Sequence, residues 1–197
     1  MSEIELPMSM EEIKGFFEER LEDSIIEYKT QEFEKGLKKN KIKFVWITIE
    51  KDVLRDAVKA ISEIQVPHLS VTSGSDIGDE VELNYHFAIN FSYPGEETTV
   101  TFKVRLPKDD LTIPTITDLV PGAITTEREK QEFLGVDVID IPDDRRLWLD
   151  ENYPEDKYPW RWDETGMEEQ SHYPHDPDEA PVTPTAKNTR EGGESDE

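Results

Sequence analysis

Apolar and polar positions change period several times along the chain, and each change marks an element. Ile13, Phe16, Phe17 and Leu21 recur at helical spacing behind Ser9 and Glu12, which read as a capping box. The spacing predicts a helix from Ser9 to Leu21. A strand is expected over residues 24–33, and Gly36 to Asn40 form a Lys-rich turn. In residues 41–50 both alternating sets are apolar, with Ile42, Phe44 and Trp46 on one and Val45, Ile47 and Ile49 on the other. That pattern predicts a central strand covered on both faces. Asp52 is placed to cap a second helix whose buried stripe holds Val53, Leu54, Ala57, Val58 and Ile61. Pro67 stops that region and opens a strand through Val71. The Gly, Ser and Asp content of Ser73 to Asp79 predicts a turn.

Period two then dominates. Val81, Leu83, Tyr85, Phe87, Ile89 and Phe91 share one face, opposite Glu82, Asn84, His86 and Asn90. After a turn at Pro94-Gly95-Glu96, Val100, Phe102, Val104 and Leu106 alternate with Thr101, Lys103 and Arg105. Together these predict an antiparallel hairpin with one face against helices and one polar face. Pro114 to Leu119 is a short element and Thr126 to Phe133 a helix. No internal repeat is visible. The expected fold class is α+β: a mixed, mainly antiparallel sheet of about five strands with helices packed on it, and an extended C-terminal arm. The expected organisation is a domain over residues 1–137, an irregular aromatic-rich arm over 138–164, and an acidic, Pro-rich tail over 165–197. The tail has too little core material to offset its ordering entropy, so it is expected to be disordered unless bound to partners.

Composition narrows the function. The chain has 197 residues, no cysteine, 22 Lys plus Arg and 46 Asp plus Glu, for a formal net charge of −24. Without thiolates it supplies no disulfide, no Cys-based zinc site and no iron–sulfur ligation. The acidic balance argues against nucleic acid and against anionic membrane surfaces. No stretch is long and apolar enough to span a bilayer, and Met1 to Pro7 lack the features of a signal peptide. A cytoplasmic chain is expected. Sparse Gln and Asn beside plentiful Glu and Lys suit a protein from a hot environment.

Chemistry-bearing constellations are few. Paired carboxylates are uninformative in so acidic a chain. His172 and His175, with Asp176 and Asp178, have loose spacing in the expected tail, where nothing would fix ligand geometry. His68 and His86 have no sequence-near nucleophile. Ser73 to Gly78 contains glycine but opens no helix with Gly-Lys-Ser/Thr, so it is no P-loop. Trp148, Tyr153, Tyr158, Trp160 and Trp162 form a different case. Five large aromatics without aliphatic periodicity make a poor core element. They either fold back on their own domain or present interface anchors, and both uses are open to different side chains.

Residues 114–136 carry a recognisable signature. The run from Pro114 through Ile116, Leu119, Gly122 and Ala123 leads into Glu127-Arg128-Glu129, Glu132, Leu134, Gly135 and Val136. Pro142, Asp143, Arg145, Arg146 and Leu147 follow, then Pro159, Trp160, Arg161 and Asp163. This resembles the 30-kDa, or C-type, peripheral-arm subunit family of respiratory complex I. Glu132 stands where that family has Asp, Asp140-Ile141 replaces its Gly-His, and Trp162 replaces a Lys. These departures resemble the divergent branch found in membrane-bound, energy-converting NiFe hydrogenases and their sulfur-reducing relatives.

The resemblance implies a cofactor-free structural subunit, with no catalytic or metal-binding residue of its own. Its partners would be the large catalytic subunit and the iron–sulfur subunits of a peripheral arm on the cytoplasmic side of the membrane, and those subunits would carry the NiFe and iron–sulfur centres. The expected interface residues are Glu127, Arg128, Glu129, Glu132, Gly135, Arg145, Arg146, Trp160, Arg161 and Asp163. Arg128 and Glu132 are spaced to pair along a helix, leaving Glu127 and Glu129 to accept from a partner. Arg145 and Arg146 offer forked donors to carboxylates, and Gly135 is expected to end the helix left-handed. The 33 residues of the tail would reach ~100 Å if extended, enough to cross a neighbour. The same role in a sulfane-sulfur reductase or an NADH:quinone oxidoreductase is the nearest alternative. A free-standing acidic adaptor is an alternative of another class, and an enzyme with a His-centred site a third.

Overall fold

The computed structural model describes residues 6–37 and 40–167. Helix α1 (Met10–Leu21) starts as the sequence demands: Ser9 Oγ accepts the N–H of Glu12 at 3.3 Å, and Glu12 Oε2 accepts the N–H of Ser9 at 2.7 Å. Strands β1 (Ile25–Lys35) and β2 (Asn40–Ile49) form a hairpin. Helix α2 (Leu54–Ile64) follows. Asp52 does not cap it. It lies inside a single 3-10 turn, Lys51–Val53, that feeds straight into the helix without a side-chain cap. Arg20 ties α1 to α2 through Glu63 at 2.8 Å.

Strands β3 (His68–Asp76), β4 (Glu80–Ile89) and β5 (Thr98–Pro107) complete a sheet of order β1-β2-β5-β4-β3. All pairings are antiparallel except β2 with β5. The sheet is mixed, five-stranded and mainly antiparallel, and the fold is α+β. Two expectations fail here. Ser73 to Asp76 continue β3, because pairing with β4 outweighs their turn-forming composition; Gly74 is needed where Leu134 and Leu83 close over it. Phe91 is exposed, because β4 ends at Ile89 and Asn90 turns with φ 59°. The Asn90 side chain is instead buried against the backbone of Met8, accepting at 3.1 Å and donating at 2.8 Å.

One face of the sheet builds the core. Val45, Ile47, Val81, Leu83, Tyr85, Phe87, Val100, Phe102 and Val104 pack beneath Ile13, Phe17, Leu54, Val58 and Ile61. The opposite face is open, so β2 is an interior strand, next to the edge strand β1, and is not covered on both sides. Ile42, Phe44 and Trp46 are only half-buried there. His86 lies beside Trp46, its ring held between Ser73 and Thr101 at 2.9 Å each. Burial lowers the His86 pKa, favouring the neutral ring.

Strand β6 (Thr112–Pro114), helix α3 (Ala123–Leu134) and strand β7 (Asp137–Ile139) form a second small unit on the core face. Strands β6 and β7 pair in parallel, and α3 lies over β3. Helix α3 begins at Ala123, three residues before the expected start at Thr126. From Ile141 to Met167 the chain runs as an irregular arm. The His172–Asp178 group and most of the acidic tail lie outside the described residues.

Candidate functional site: a strap held by helix α3

The signature residues meet around α3. Glu127 is buried against the turn that follows β6. Its Oε1 accepts the N–H of Ile116 at 3.0 Å and its Oε2 the hydroxyl of Thr115 at 2.6 Å. Burial raises its pKa, with the two hydrogen bonds acting against that shift. Arg55 fixes the same turn from α2, forking onto Asp118 at 2.7 and 2.6 Å and donating to the carbonyl of Thr115. Glu127 therefore spends its carboxylate inside the chain. Glu129 is also occupied, binding the ammonium of Lys130.

Arg128 and Glu132 do not pair, although they stand at i, i+4. Arg128 Nε donates to the carbonyl of Arg145 at 2.8 Å, and the guanidinium also reaches Arg146 O at 3.3 Å and Asp143 at 3.4 Å. The Glu132 carboxylate accepts three consecutive backbone N–H groups, from Leu147, Trp148 and Leu149, the last two at 2.8 Å. An exposed ion pair would contribute at most ~1 kcal/mol. A carboxylate holding several N–H donors is the stronger arrangement. Arg145 forks onto Asp143, both bonds at 2.8 Å. Arg146 meets backbone carbonyls instead of a carboxylate: Tyr153 at 2.6 Å and Asp150 at 3.2 Å.

The end of α3 anchors the next stretch. Gly135 is left-handed, φ 70°, as the helix-end reading requires. Tyr158 covers it so closely that a Cβ there would sit 2.7 Å from the ring. Trp160 stacks on Phe133 with centroids 4.6 Å apart, and its backbone N–H donates to Phe133 O. Lys130 Nζ lies 4.7 Å from the Trp160 centroid; burial lowers the Lys130 pKa, opposed by Glu129. Arg161 is buried and donates to Leu134 O at 3.1 Å and to Asp163 at 2.9 Å.

A residue that no local pattern marks completes the clamp. Asp76, at the end of β3, accepts from Lys108 at 2.8 Å and from the N–H of Trp162 at 2.9 Å. Lys108 also binds Asp163. Burial works against ionisation of both Asp76 and Asp163, yet Lys108 and the surrounding donors hold both below the ordinary carboxylate range. Asp76 and Trp162 are 86 positions apart, so only the fold brings them together.

The aromatic arm thus divides by side chain. Tyr158 and Trp160 fold back on their own domain. Trp148 and Trp162 remain 53 % and 77 % exposed on a backbone that is firmly held, with Leu147 also exposed. The site displays apolar anchors on a strap whose backbone is hydrogen-bonded to Glu132 and Asp76. Among the described residues no group of three or more His, Asp or Glu is arranged to hold a metal ion.

Residues 47–170, which contain the whole strap, match the family described as respiratory-chain NADH dehydrogenase, 30 Kd subunit. The chain belongs to that family. Among its relatives is the membrane-bound hydrogenase subunit beta of Pyrococcus furiosus, 33 % identical over 127 residues, covering 64 % of this chain and 73 % of that protein. Formate hydrogenlyase subunit 5 of Escherichia coli is 32 % identical over 120 residues; the match spans 59 % of this chain but only 21 % of that longer protein. The fold recurs in a chain of the membrane-bound sulfane sulfur reductase, an archaeal respiratory membrane complex, with TM-score 0.58, 23 % identity and coverage of 77 % of this chain and 82 % of that one. No helix among the described residues is long and apolar enough to cross a membrane.

Proposed function

We propose that this chain is a non-catalytic scaffold subunit in the cytoplasmic peripheral arm of a membrane-bound, ion-translocating redox complex. A ferredoxin-dependent NiFe hydrogenase is the complex it suits best. Its family membership across residues 47–170 carries this reading, with the Pyrococcus furiosus hydrogenase subunit as the supporting relative. The chain has no thiolate, so the NiFe and iron–sulfur centres would belong to its partners. It would clamp the large catalytic subunit to the iron–sulfur subunits and reach the membrane through them. Trp148 and Trp162 on the strap are the side chains suited to enter partner pockets, since exposed tryptophan on a preorganised backbone loses little entropy on docking.

The test is a tagged pull-down of the full chain from detergent-solubilised native membranes, with mass spectrometry of what accompanies it. Recovery of a Cys-rich large subunit, iron–sulfur subunits and polytopic membrane subunits supports the scaffold role. The identity of those subunits then distinguishes hydrogenase from sulfane-sulfur reductase or NADH:quinone oxidoreductase. Recovery of the chain alone, or with one soluble basic protein, replaces the scaffold with an acidic adaptor.

A further inference from the structure

The outer edge of the sheet carries a pattern unrelated to the strap. Among the described residues, strand β1 is hydrogen-bonded on one side only, to β2. A bulge interrupts it between Ile25 and Glu27, so the regular span is Glu27 to Lys35, with Gln31 at its midpoint. We propose that β1 pairs antiparallel with β1 of a second copy of this chain, two-fold symmetrically about Gln31, merging the two sheets into one.

The charges select that register. Centred on Gln31, the pairing sets Glu27 opposite Lys35, Lys29 opposite Phe33 and Gln31 opposite itself on the open face. On the helix-bearing face Tyr28 meets Glu34 and Thr30 meets Glu32. No like charges face each other, and two Glu–Lys pairs form across the dyad. Moving the centre to Glu32 sets Glu32 against itself and Lys29 against Lys35. Moving it to Thr30 carries Lys35 across the bulge to Ile25. A half-step between residues turns every side chain to the wrong face. The edge residues are free to take part: Glu27, Lys29, Glu34 and Lys35 are exposed. Phe33 is 47 % exposed, standing edge-on to Phe44, and the partner's Lys29 stem would cover it. A regular edge of this length is normally blunted by bulges, proline or unmatched charge. Here the charge is matched to itself.

The chain lacks cysteine, so single introduced thiols report the register without background. Gln31→Cys in the full chain is expected to form a disulfide-linked dimer under mild oxidation. Lys29→Cys is not, because its own copy would lie roughly 12 Å or more away along the strand. Each copy carries a net charge of −24, so association is read by sedimentation equilibrium at ~0.15 M salt, where long-range repulsion is screened. Lys35→Glu is expected to weaken the dimer about tenfold, and Glu27→Lys with Lys35→Glu to restore it. Equal cross-linking from positions 29 and 31, or a chain that stays monomeric up to ~100 μM, overturns the proposal. A monomeric free chain whose β1 amides become protected only when other subunits bind overturns it too, and assigns the edge to a partner's strand.

Discussion

Arg128 and Glu132 stand one helical turn apart on α3 and divide a single strap between them. The guanidinium takes the carbonyls of Arg145 and Arg146, and the carboxylate takes the N–H groups of Leu147, Trp148 and Leu149. Opposite charges at helical spacing here bind opposite polarities of one backbone segment. Glu132→Ala should destabilise the protein by about 2–3 kcal/mol and deprotect the amides of residues 147–149 in hydrogen exchange. Glu132→Gln should recover part of that loss. Unchanged exchange at those amides in the alanine variant would remove the strap's main anchor.

Gly135 is required twice, by its left-handed backbone and by the ring of Tyr158 above it. Gly135→Ala should cost about 1–3 kcal/mol, the strain at positive φ adding to displacement of the ring. Thermal unfolding reads the loss. Tyr158→Ala in the same background should relieve the steric part and leave the backbone part.

Glu127 makes a pH prediction with a definite sign. Burial raises its folded pKa above the unfolded value, so the native state binds more protons between the two. That contribution grows as pH falls through the folded pKa and is absent well above it. Glu127→Gln keeps the shape of the site and cannot titrate. Denaturant unfolding at pH 7 and pH 5 should show wild type gaining on the variant at the lower pH. A pH-independent difference would mean the carboxyl is not strained by burial.

Asp76 and Asp163 carry the opposite sign. Both are held below the usual carboxylate range, so their contribution is present above ~pH 4, near the unfolded value, and is lost as pH falls through the depressed folded values. Trp162 fluorescence should be flat from pH 8 to 5 and change only in stronger acid. Asp76→Ala should release the Trp162 segment at neutral pH, leaving the Lys108 ammonium one partner fewer. Limited proteolysis near residue 162 would record it.

Trp148→Ala and Trp162→Ala separate docking from folding. Both rings are largely exposed, so thermal stability should change by less than about 1 kcal/mol. Complex assembly, read as recovery of partner subunits, should fall at least tenfold if either ring fills a partner pocket. Full recovery with both variants would move the interface off the strap.

Local physics made much of this protein legible in its sequence. Ser9 and Glu12 fix the start of α1 because a capping box involves only one turn of chain. Period two marks β4 and β5 because alternate side chains must enter one core. The Glu127-to-Val136 signature places the chain in its family, and Gly135 marks the helix end. The partners of the signature residues were not legible. Spacing suggested that Arg128 meets Glu132 and that Glu127 faces outward. The folded chain supplies better partners from 11 to 18 positions away. Composition suggested a turn at Ser73, but a neighbouring strand recruited it. Asp76 carried no local mark, because its role depends on Trp162 and Lys108 arriving from distant parts of the chain. Patterning decides which face of each element is apolar, a property of neighbours within a turn or a pleat. Which polar group satisfies which is settled only when the elements pack, because a buried charge takes the partners that desolvation and geometry leave within reach.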